Sequence, residues 1–575
     1  MTKKQKLELT WVGKENRPRL EPRILLEDPE KSYHAATRVS DDDIFDNRLI
    51  FGDNLLALKA LEQEFAGKVK CVFIDPPYNT GSAFEHYDDG LEHSIWLGLM
   101  RDRLEVIRRL LSEDGSLWVT LDDNEAHYFK VMCDEVFGRA CFISNIVWRK
   151  RDGAPNDRKL GAVHDHILVY AKSKDMGQNK TKAELAFNLM ERTEKADSEY
   201  RVFEEPSGPD PRGPFRKIDM TANAKGGRHV DSLMFAIRNP YTGADVFPRA
   251  GTNWRHNEEE VRRLQEDGRL FWGKTGTAGT PMRKLFKSEA KSGMSSPSIW
   301  DDVGLNQHAA RELELLFGAK ATFETPKPEF LMRRIIQIAT SPGDLILDSF
   351  AGSGTTGAVA HKMHRRWIMV ELGEHCHTHI IPRLKKVIDG DDKGGVTEAT
   401  GWQGGGGFRY FKLAPSLLET DKWGREIISK AYNAEMLAEA LCKIEGFTYA
   451  PSDSVYWQHG TSTERDFIYV TTQTLSPEQL DALSEEVGEG RTLLVLCAAF
   501  RGNPSAWPNL TVKKIPNHIR ERCEWGHDDY SLNVENLPKA LPAREASPPA
   551  PKPTDKALSR SASQPGLFDL GGDDQ

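Results

Sequence analysis

Apolar and polar positions along the chain alternate between strand and helix spacing. Leu49-Ile50-Phe51 reads as a short strand, Gly52-Asp53-Asn54 as a turn, and Leu55, Leu56, Leu58 and Leu61 as one face of a helix. The run Val69, Cys71, Val72, Phe73, Ile74 predicts a buried strand. Residues 96–111 carry apolar positions at helical spacing, and 115–121 predict another buried strand. Asp122-Asp123-Asn124-Glu125 then caps a helix expected to reach about Phe137, with strands following near 143–148 and 167–170. Such alternation is the signature of a parallel α/β sheet.

The rhythm breaks at residues 174–300, which are rich in Gly, Pro, Arg and Asn with weak periodicity, and this predicts a separate, loop-rich module. It resumes with a helix at 330–340, a Pro342-Gly343-Asp344 turn, a strand at 345–348, a helix at 356–363, a strand at 367–371 and a helix to about Ile388. Four glycines, Gly404 to Gly407, lead into a strand at 408–413. The expected organisation is an irregular N-terminal arm (1–46), two halves of one core (47–173 and 301–413) around the inserted module (174–300), and a smaller α/β domain (423–540). Residues 541–575, rich in Pro, Ala and Ser, predict a disordered tail.

At 575 residues the chain is too long for one core, which fits two or three domains. Seven scattered cysteines form no CxxC pair, which argues against zinc ribbons and disulfide scaffolds and for a reducing compartment. No apolar h-region follows the basic Met1-Thr2-Lys3-Lys4 start and no run of eighteen apolar residues occurs, so a cytoplasmic protein without membrane contact is expected. The net charge of −9 hides segregation: residues 201–300 hold 17 Lys and Arg against 12 Asp and Glu, a local excess of +5.

Two segments carry chemistry. Asp75-Pro76-Pro77-Tyr78-Asn79-Thr80-Gly81 ends a buried strand, and two prolines fix the backbone there and withhold amide donors. Asp75 and the Pro76 carbonyl are acceptors, and Tyr78 offers a stacking face, a combination suited to a flat ring bearing an amine. The second is Phe350-Ala351-Gly352-Ser353-Gly354-Thr355-Thr356-Gly357, after a strand that ends in Asp348 and at the start of a helix. Glycines there let backbone approach a ligand closely, and Glu371 at the end of the next strand suits ribose hydroxyls. Gly352, Gly354 and Gly357 also match the GxGxxG dinucleotide fingerprint, but no hydride-handling pair accompanies them.

These pieces resemble β-class DNA amino-methyltransferases, and most closely the modification subunits of type III restriction-modification systems. The resemblance rests on residues 47–54, the Asp-Pro-Pro-Tyr turn, 114–116 through 122–125, Thr325-Pro326-Lys327-Pro328 and the Phe-Ala-Gly-Ser-Gly loop, in that order, within residues 8–413. It implies a Rossmann-like α/β methyltransferase core that uses S-adenosylmethionine, with a target-recognition module between the catalytic turn and the cofactor loop. The resemblance assigns Asp75, Pro76, Pro77 and Tyr78 to catalysis on a flipped-out adenine of duplex DNA, with no metal. It assigns Asp53, Thr325, Lys327, Asp348, Phe350, Ala351, Gly352, Gly354 and Glu371 to the cofactor. Arg149, Lys150, Arg151, Lys274, Arg283, Lys284 and Lys287 are expected on DNA phosphates. Arg158 and Lys159 suit phosphates too. The same turn could serve cytosine N4, and an inactive DNA-binding subunit is the other alternative. A homodimer and a separate restriction or helicase subunit are implied as partners, in a bacterial cytoplasm and at the nucleoid when bound to DNA.

Three other signals are weighed. Gly268 to Thr275 fits the P-loop pattern but follows a charged helical stretch rather than a strand, so DNA contact is the expectation. His375-Cys376-His377-Thr378-His379 points its rings apart on a helix, and His164-Asp165-His166 precedes an apolar strand; neither is expected to bind a metal. In the tail, Gln564, Leu567 and Phe568 resemble the Gln-x-x-Leu-Phe peptides that bind the bacterial sliding clamp.

Overall fold

A computed structural model describes residues 8–78, 89–154, 159–174, 187–223, 230–318, 323 and 325–530, with side chains from residue 93 on in the helix that begins at Asp89. The expected sliding-clamp peptide, the tail, Asn79 to Gly81 and Arg158 lie outside the described residues.

The core is an eleven-stranded mixed sheet. In chain order its first strands are β1 (Leu25–Glu27), β2 (Tyr33–His34), β3 (Asn47–Phe51), β4 (Val69–Ile74), β5 (Leu111–Leu121), β6 (Phe142–Arg149) and β7 (His164–Ala171). Ile299–Trp300, Leu345–Asp348, Arg366–Glu371 and Gly407–Leu413 complete it. Gly407–Leu413, β3, Arg366–Glu371, Leu345–Asp348, β4 and β5 lie parallel in that spatial order, after which β7 runs antiparallel and carries β6.

Side chains of successive strand residues leave opposite faces, and both faces are covered. Val72 and Ile74 of β4 join the core beneath α1 (Asn54–Phe65), α2 (Asp89–Leu110) and α3 (Ala126–Cys133). Cys71 and Phe73 join the opposite core, under the helices Glu329–Ala339, Thr355–Lys362 and Ile381–Ile388. This explains why the strand sequences read as nearly continuous apolar runs instead of alternating.

The two halves of the core meet side by side. Leu345–Asp348 pairs with β4 through Ile346 with Cys71 and Leu347 with Val72. Beyond them the chain turns opposite ways, from β4 to β5 and from Leu345–Asp348 to Arg366–Glu371. A crevice opens at such a switch point, outside the carboxyl ends of the strands, and both chemical segments of the sequence lie there.

The expected N-terminal arm is corrected. Leu25–Glu27 pairs antiparallel with Leu413 to Phe411, Tyr33–His34 pairs with Phe408 and Gly407, and Ile24 is fully buried. A buried Glu21–Arg23 pair fastens this stretch to Ser416, Leu417 and Ala414. The inserted segment also returns to the core, because Ile299–Trp300 pairs with Val147 and Trp148 of β6. Between lies a small unit with a three-stranded antiparallel sheet (Phe215–Asp219, Met282–Phe286, Leu270–Phe271) and a core around Met220, Trp254 and Trp272. Residues 448–514 form a five-stranded sheet whose last three strands, Asp466–Val470, Thr492–Cys497 and Leu510–Lys514, are parallel. Helices Ala434–Glu445 and Pro477–Val487 pack against it. Among the described residues no helix is long and apolar enough to cross a membrane.

Candidate active site

A cavity of 660 Å³ opens at the switch point and is lined by Asp75, Pro76, Pro77 and Tyr78 from one half of the core and Asp348 to Ser353 from the other. Asp75 sits one residue beyond β4, where the prolines end the strand. Trp96 of α2 donates its indole N–H to the Pro77 carbonyl at 2.9 Å and fixes the turn from behind. The Tyr78 hydroxyl donates to Asp75 Oδ1 at 2.9 Å and lies 3.4 Å from Asp165 Oδ2. Burial, with Asp75 and Asp165 alongside, raises the Tyr78 phenol well above its ordinary value, so this hydroxyl keeps its proton.

Lys327 lines the same cavity. Its ammonium contacts Asp75 Oδ2 and stands 5.4 Å from the centre of the Tyr78 ring. It therefore ties the Lys327 segment to the Asp75 turn. Thr325 lines the cavity from the same segment. Behind them Glu329, fully buried, holds Lys362 and Arg383, and Arg383 bonds Thr355 Oγ1 at 2.9 Å and the Ser353 carbonyl at 3.3 Å. That network braces the Lys327 segment and the glycine loop against each other.

The two loop glycines have different tasks. Gly352 lines the cavity at φ +54°, its N–H donates to Glu371 at 2.7 Å, and a Cβ on it would come 3.3 Å from Phe323. Gly354 lies between the lining residues Ser353 and Thr355. It is the left-handed N-cap of the helix Thr355–Lys362, φ +77°, and a Cβ there would press on Ile380 at 3.0 Å. Phe350 and Ala351 border the cavity.

Among the acids, Asp348 is fully buried and accepts from Thr356 Oγ1 at 2.5 Å and Phe350 N at 2.9 Å. Burial outweighs those bonds and pushes its carboxyl up to about 7. Glu371 receives Gly352 N, Leu372 N and Gly373 N, and pairs with His375 at 3.0 Å, which raises the His375 imidazole. Asp53 is the N-cap of α1, bonded to Leu55 N and Leu56 N, while its other oxygen accepts from Tyr530 N at 2.9 Å.

Of the residues expected on DNA, Lys150 and Arg151 line the cavity. Lys150 is corrected: its ammonium is 2.5 Å from Asp165 Oδ1 inside the site. Lys284 is corrected too. It is 4% exposed and clamped between Glu205 at 2.5 Å and Asp210 at 2.8 Å, so it is a structural cation of the inserted unit. Lys274 remains exposed beside Glu204, Lys287 pairs with Asp197 at 3.3 Å, Arg283 is half-buried, and Arg149 reaches back to the Asp152 carbonyl at 3.0 Å. The P-loop pattern at Gly268 to Thr275 follows helix Glu258–Glu266, not a strand.

Cavity residues that sequence reasoning missed are Asn54, Arg103, Asp165, Asn306, Phe323 and His375. A polar doublet before an apolar strand was the one visible signal, at His164-Asp165. The 375–379 histidines disperse, His375 to Glu371 and His377 to Glu374 and the Tyr410 hydroxyl. Asp123, His127 and His166 do converge, with candidate ligand atoms within 4.8 Å of one another. There His166 Nε2 bonds Asp123 at 2.8 Å while Nδ1 faces Asn145.

The sequence profile of the family described as DNA methylase matches residues 69–382, more than half of the chain and the whole stretch from β4 through the glycine loop. The chain is 30% identical, over 72% of its length, to the probable type III restriction-modification enzyme HindVI Mod subunit of Haemophilus influenzae, covering 60% of that protein. It is 32% identical over 54% of its length to the StyLTI Mod subunit of Salmonella typhimurium, covering 49% of it. It is 30% identical over 58% of its length to the type II methyltransferase M.KpnI of Klebsiella pneumoniae, covering 81% of it. The chain thus spans only part of the two Mod subunits. With the matched stretch containing both halves of the cavity, the chain belongs to the DNA methylase family.

Proposed function

We propose that the protein transfers a methyl group from S-adenosylmethionine to the N6 amino group of an adenine in duplex DNA, as the modification component of a restriction or phage-defence system. The observation that carries this reading is the meeting of the Asp75 turn and the Gly352 loop, 277 residues apart in the chain, in one cavity at the ends of neighbouring strands.

The residues present fit the cofactor. Gly352 leaves room where a side chain would press on Phe323, and Glu371 gives that end of the cavity an acid that suits ribose hydroxyls. S-adenosylmethionine, when bound, supplies an electrophilic methyl on a sulfonium. Phe350, Ala351, Gly352, Glu371 and Thr325 would hold it, with Asp53 fixing α1 at the edge.

The chain's own residues act on the base. An adenine amine is a poor nucleophile because its lone pair is delocalised into the ring. Asp75 and the Pro76 carbonyl accept its two hydrogens and draw the nitrogen toward tetrahedral geometry, which localises the lone pair. Each carboxylate oxygen has two lone-pair sites, so Asp75 keeps capacity beside Tyr78 and Lys327. As the nitrogen gains the methyl, Asp75 takes the surplus proton. Tyr78 stacks on the base, which must leave the duplex to reach the turn. Exposed cations such as Arg149, Arg151, Lys274 and Lys287 meet phosphates, and the inserted unit reads the sequence.

Relatives named as Mod subunits of restriction-modification enzymes support a separate restriction subunit as partner; a second copy of this chain is proposed beside it. Light scattering on the purified protein tests the second copy. The same proposal extends to the sliding clamp through Gln564, Leu567 and Phe568, and titrating a synthetic C-terminal peptide against a purified clamp tests that contact. Methylation-sensitive sequencing of DNA from cells expressing the chain tests the main reading: N6-methyladenine in one sequence motif supports it, N4-methylcytosine transfers the same mechanism to cytosine, and an unmodified genome contradicts it.

A further inference from the structure

The mechanism uses one side of the base pocket, but the pocket has a second charged wall. Asp165, on β7, is 2% exposed and pairs with Lys150, which follows β6; in the β6–β7 ladder Asp165 lies opposite Trp148. The Tyr78 hydroxyl stands between two acid–ammonium pairs, Asp75 with Lys327 and Asp165 with Lys150. Lys150 Nζ is 6.0 Å from the centre of the ring of Tyr78, the residue assigned above to stack on the base.

Stability alone explains this pair poorly. Desolvating an acid and an ammonium largely cancels their attraction, and burial pushes the Asp165 carboxyl up despite Lys150. Only one of the three N–H groups of Lys150 has a described partner, Asp165. Nearby, Asn306 starts a helix whose first N–H bonds the Lys150 carbonyl at 2.9 Å. Asn306 lines the cavity, and its Oδ1 is buried with no hydrogen-bond partner among the described residues. This wall therefore holds polar capacity that the protein itself leaves unfilled, in the same cavity as Asp75.

We propose that Lys150 reads the target base by donating a hydrogen bond to a ring nitrogen beside the exocyclic amine, and that Asp165 is the positioning residue that aims Lys150 and the Tyr78 hydroxyl. The proposal rests on the methyltransferase reading and names how that site selects its base. Adenine offers N1 and N7 as acceptors next to its amine. At the N1 edge guanine presents an N1–H and thymine, at the equivalent place, an N3–H, which a donor there repels.

The test is a chemical double-mutant cycle on duplexes carrying the motif found by sequencing, with adenine, 1-deazaadenine or 7-deazaadenine at the target position. Lys150→Met keeps the stem and removes the donor. On adenine it is expected to lose about 10- to 100-fold in kcat/KM, as for a lost hydrogen bond to a substrate group. Its affinity for S-adenosylhomocysteine, by calorimetry, should stay within about twofold of wild type. Wild type should lose a similar factor on one of the two deaza duplexes, and the variant should lose almost nothing further on that duplex. Asp165→Asn should show the same coupling in weaker form, with Asp165→Glu restoring activity. If Lys150→Met does not fold, Lys150→Gln takes its place in the cycle. A variant that loses as much as wild type on both deaza duplexes overturns the assignment while leaving the methyltransferase reading intact. A wild-type chain that binds S-adenosylhomocysteine but methylates no adenine overturns both.

Discussion

Lys327 rests its ammonium on the Asp75 carboxylate although 252 residues separate the two in the chain. The contact joins the cofactor-side segment to the catalytic turn, so Lys327 is expected to set the charge and aim of Asp75. Lys327→Met should lower kcat by about 10- to 100-fold, with S-adenosylhomocysteine affinity changed less than about threefold. Single-turnover methylation and calorimetry separate the two effects; a large loss of cofactor affinity with normal kcat would return Lys327 to a cofactor role.

The two loop glycines should fail in different ways. Gly354→Ala forces a side chain into the left-handed cap against Ile380 and should cost on the order of 1–3 kcal/mol of stability, seen in denaturant titration. Gly352→Ala carries similar backbone strain but also narrows the cavity beside Phe323, so its distinguishing result is a drop in cofactor affinity beyond the Gly354→Ala value.

Asp348 makes stability depend on pH. Its carboxyl is at about 7 in the fold against an ordinary 3.8, so the folded chain keeps a proton there that the unfolded chain has released. Stability from this group is full below the ordinary value and falls away as pH rises through about 7. Asp348→Asn mimics the protonated acid. Its melting temperature relative to wild type, both free of cofactor, should rise from pH 5 to pH 8 by an amount reflecting at least about 1 kcal/mol. A difference independent of pH would contradict the assignment.

Lys284 and Lys274 separate structure from DNA contact. Lys284→Met leaves Glu205 and Asp210 buried without their cation and should destabilise the inserted unit by about 3–5 kcal/mol. Lys274→Ala removes an exposed charge, so melting should stay unchanged while DNA affinity weakens and its log–log salt slope flattens by roughly one unit. Melting curves and fluorescence titrations across salt concentrations check both.

Much of this is legible in the sequence. β4, Leu345–Asp348 and Arg366–Glu371 announced themselves because strands buried on both faces are continuously apolar and end at Pro, Gly or Asp. The catalytic turn and glycine loop were visible for the same reason. The pairing of Lys150 with Asp165 was not, since it depends on the β6–β7 register, which no local pattern encodes. Leu25–Glu27 was missed because three residues become a strand only through a partner nearly 400 residues away. The burial of Lys284 had a readable trace: Lys284 and Phe286 share one face of a short strand, and the charges around them masked that period.

The central claim, that Asp75 activates the amine while the Gly352 side holds the cofactor, is tested most directly by Asp75→Ala with labelled S-adenosylmethionine and DNA carrying the motif. The account predicts cofactor binding within about threefold of wild type and methyl transfer reduced by at least about a thousandfold. Transfer at a tenth of the wild-type rate or more would contradict it, because an amine held by nothing but the Pro76 carbonyl and Tyr78 should not react that fast (roughly a tenfold loss is only about 1.4 kcal/mol).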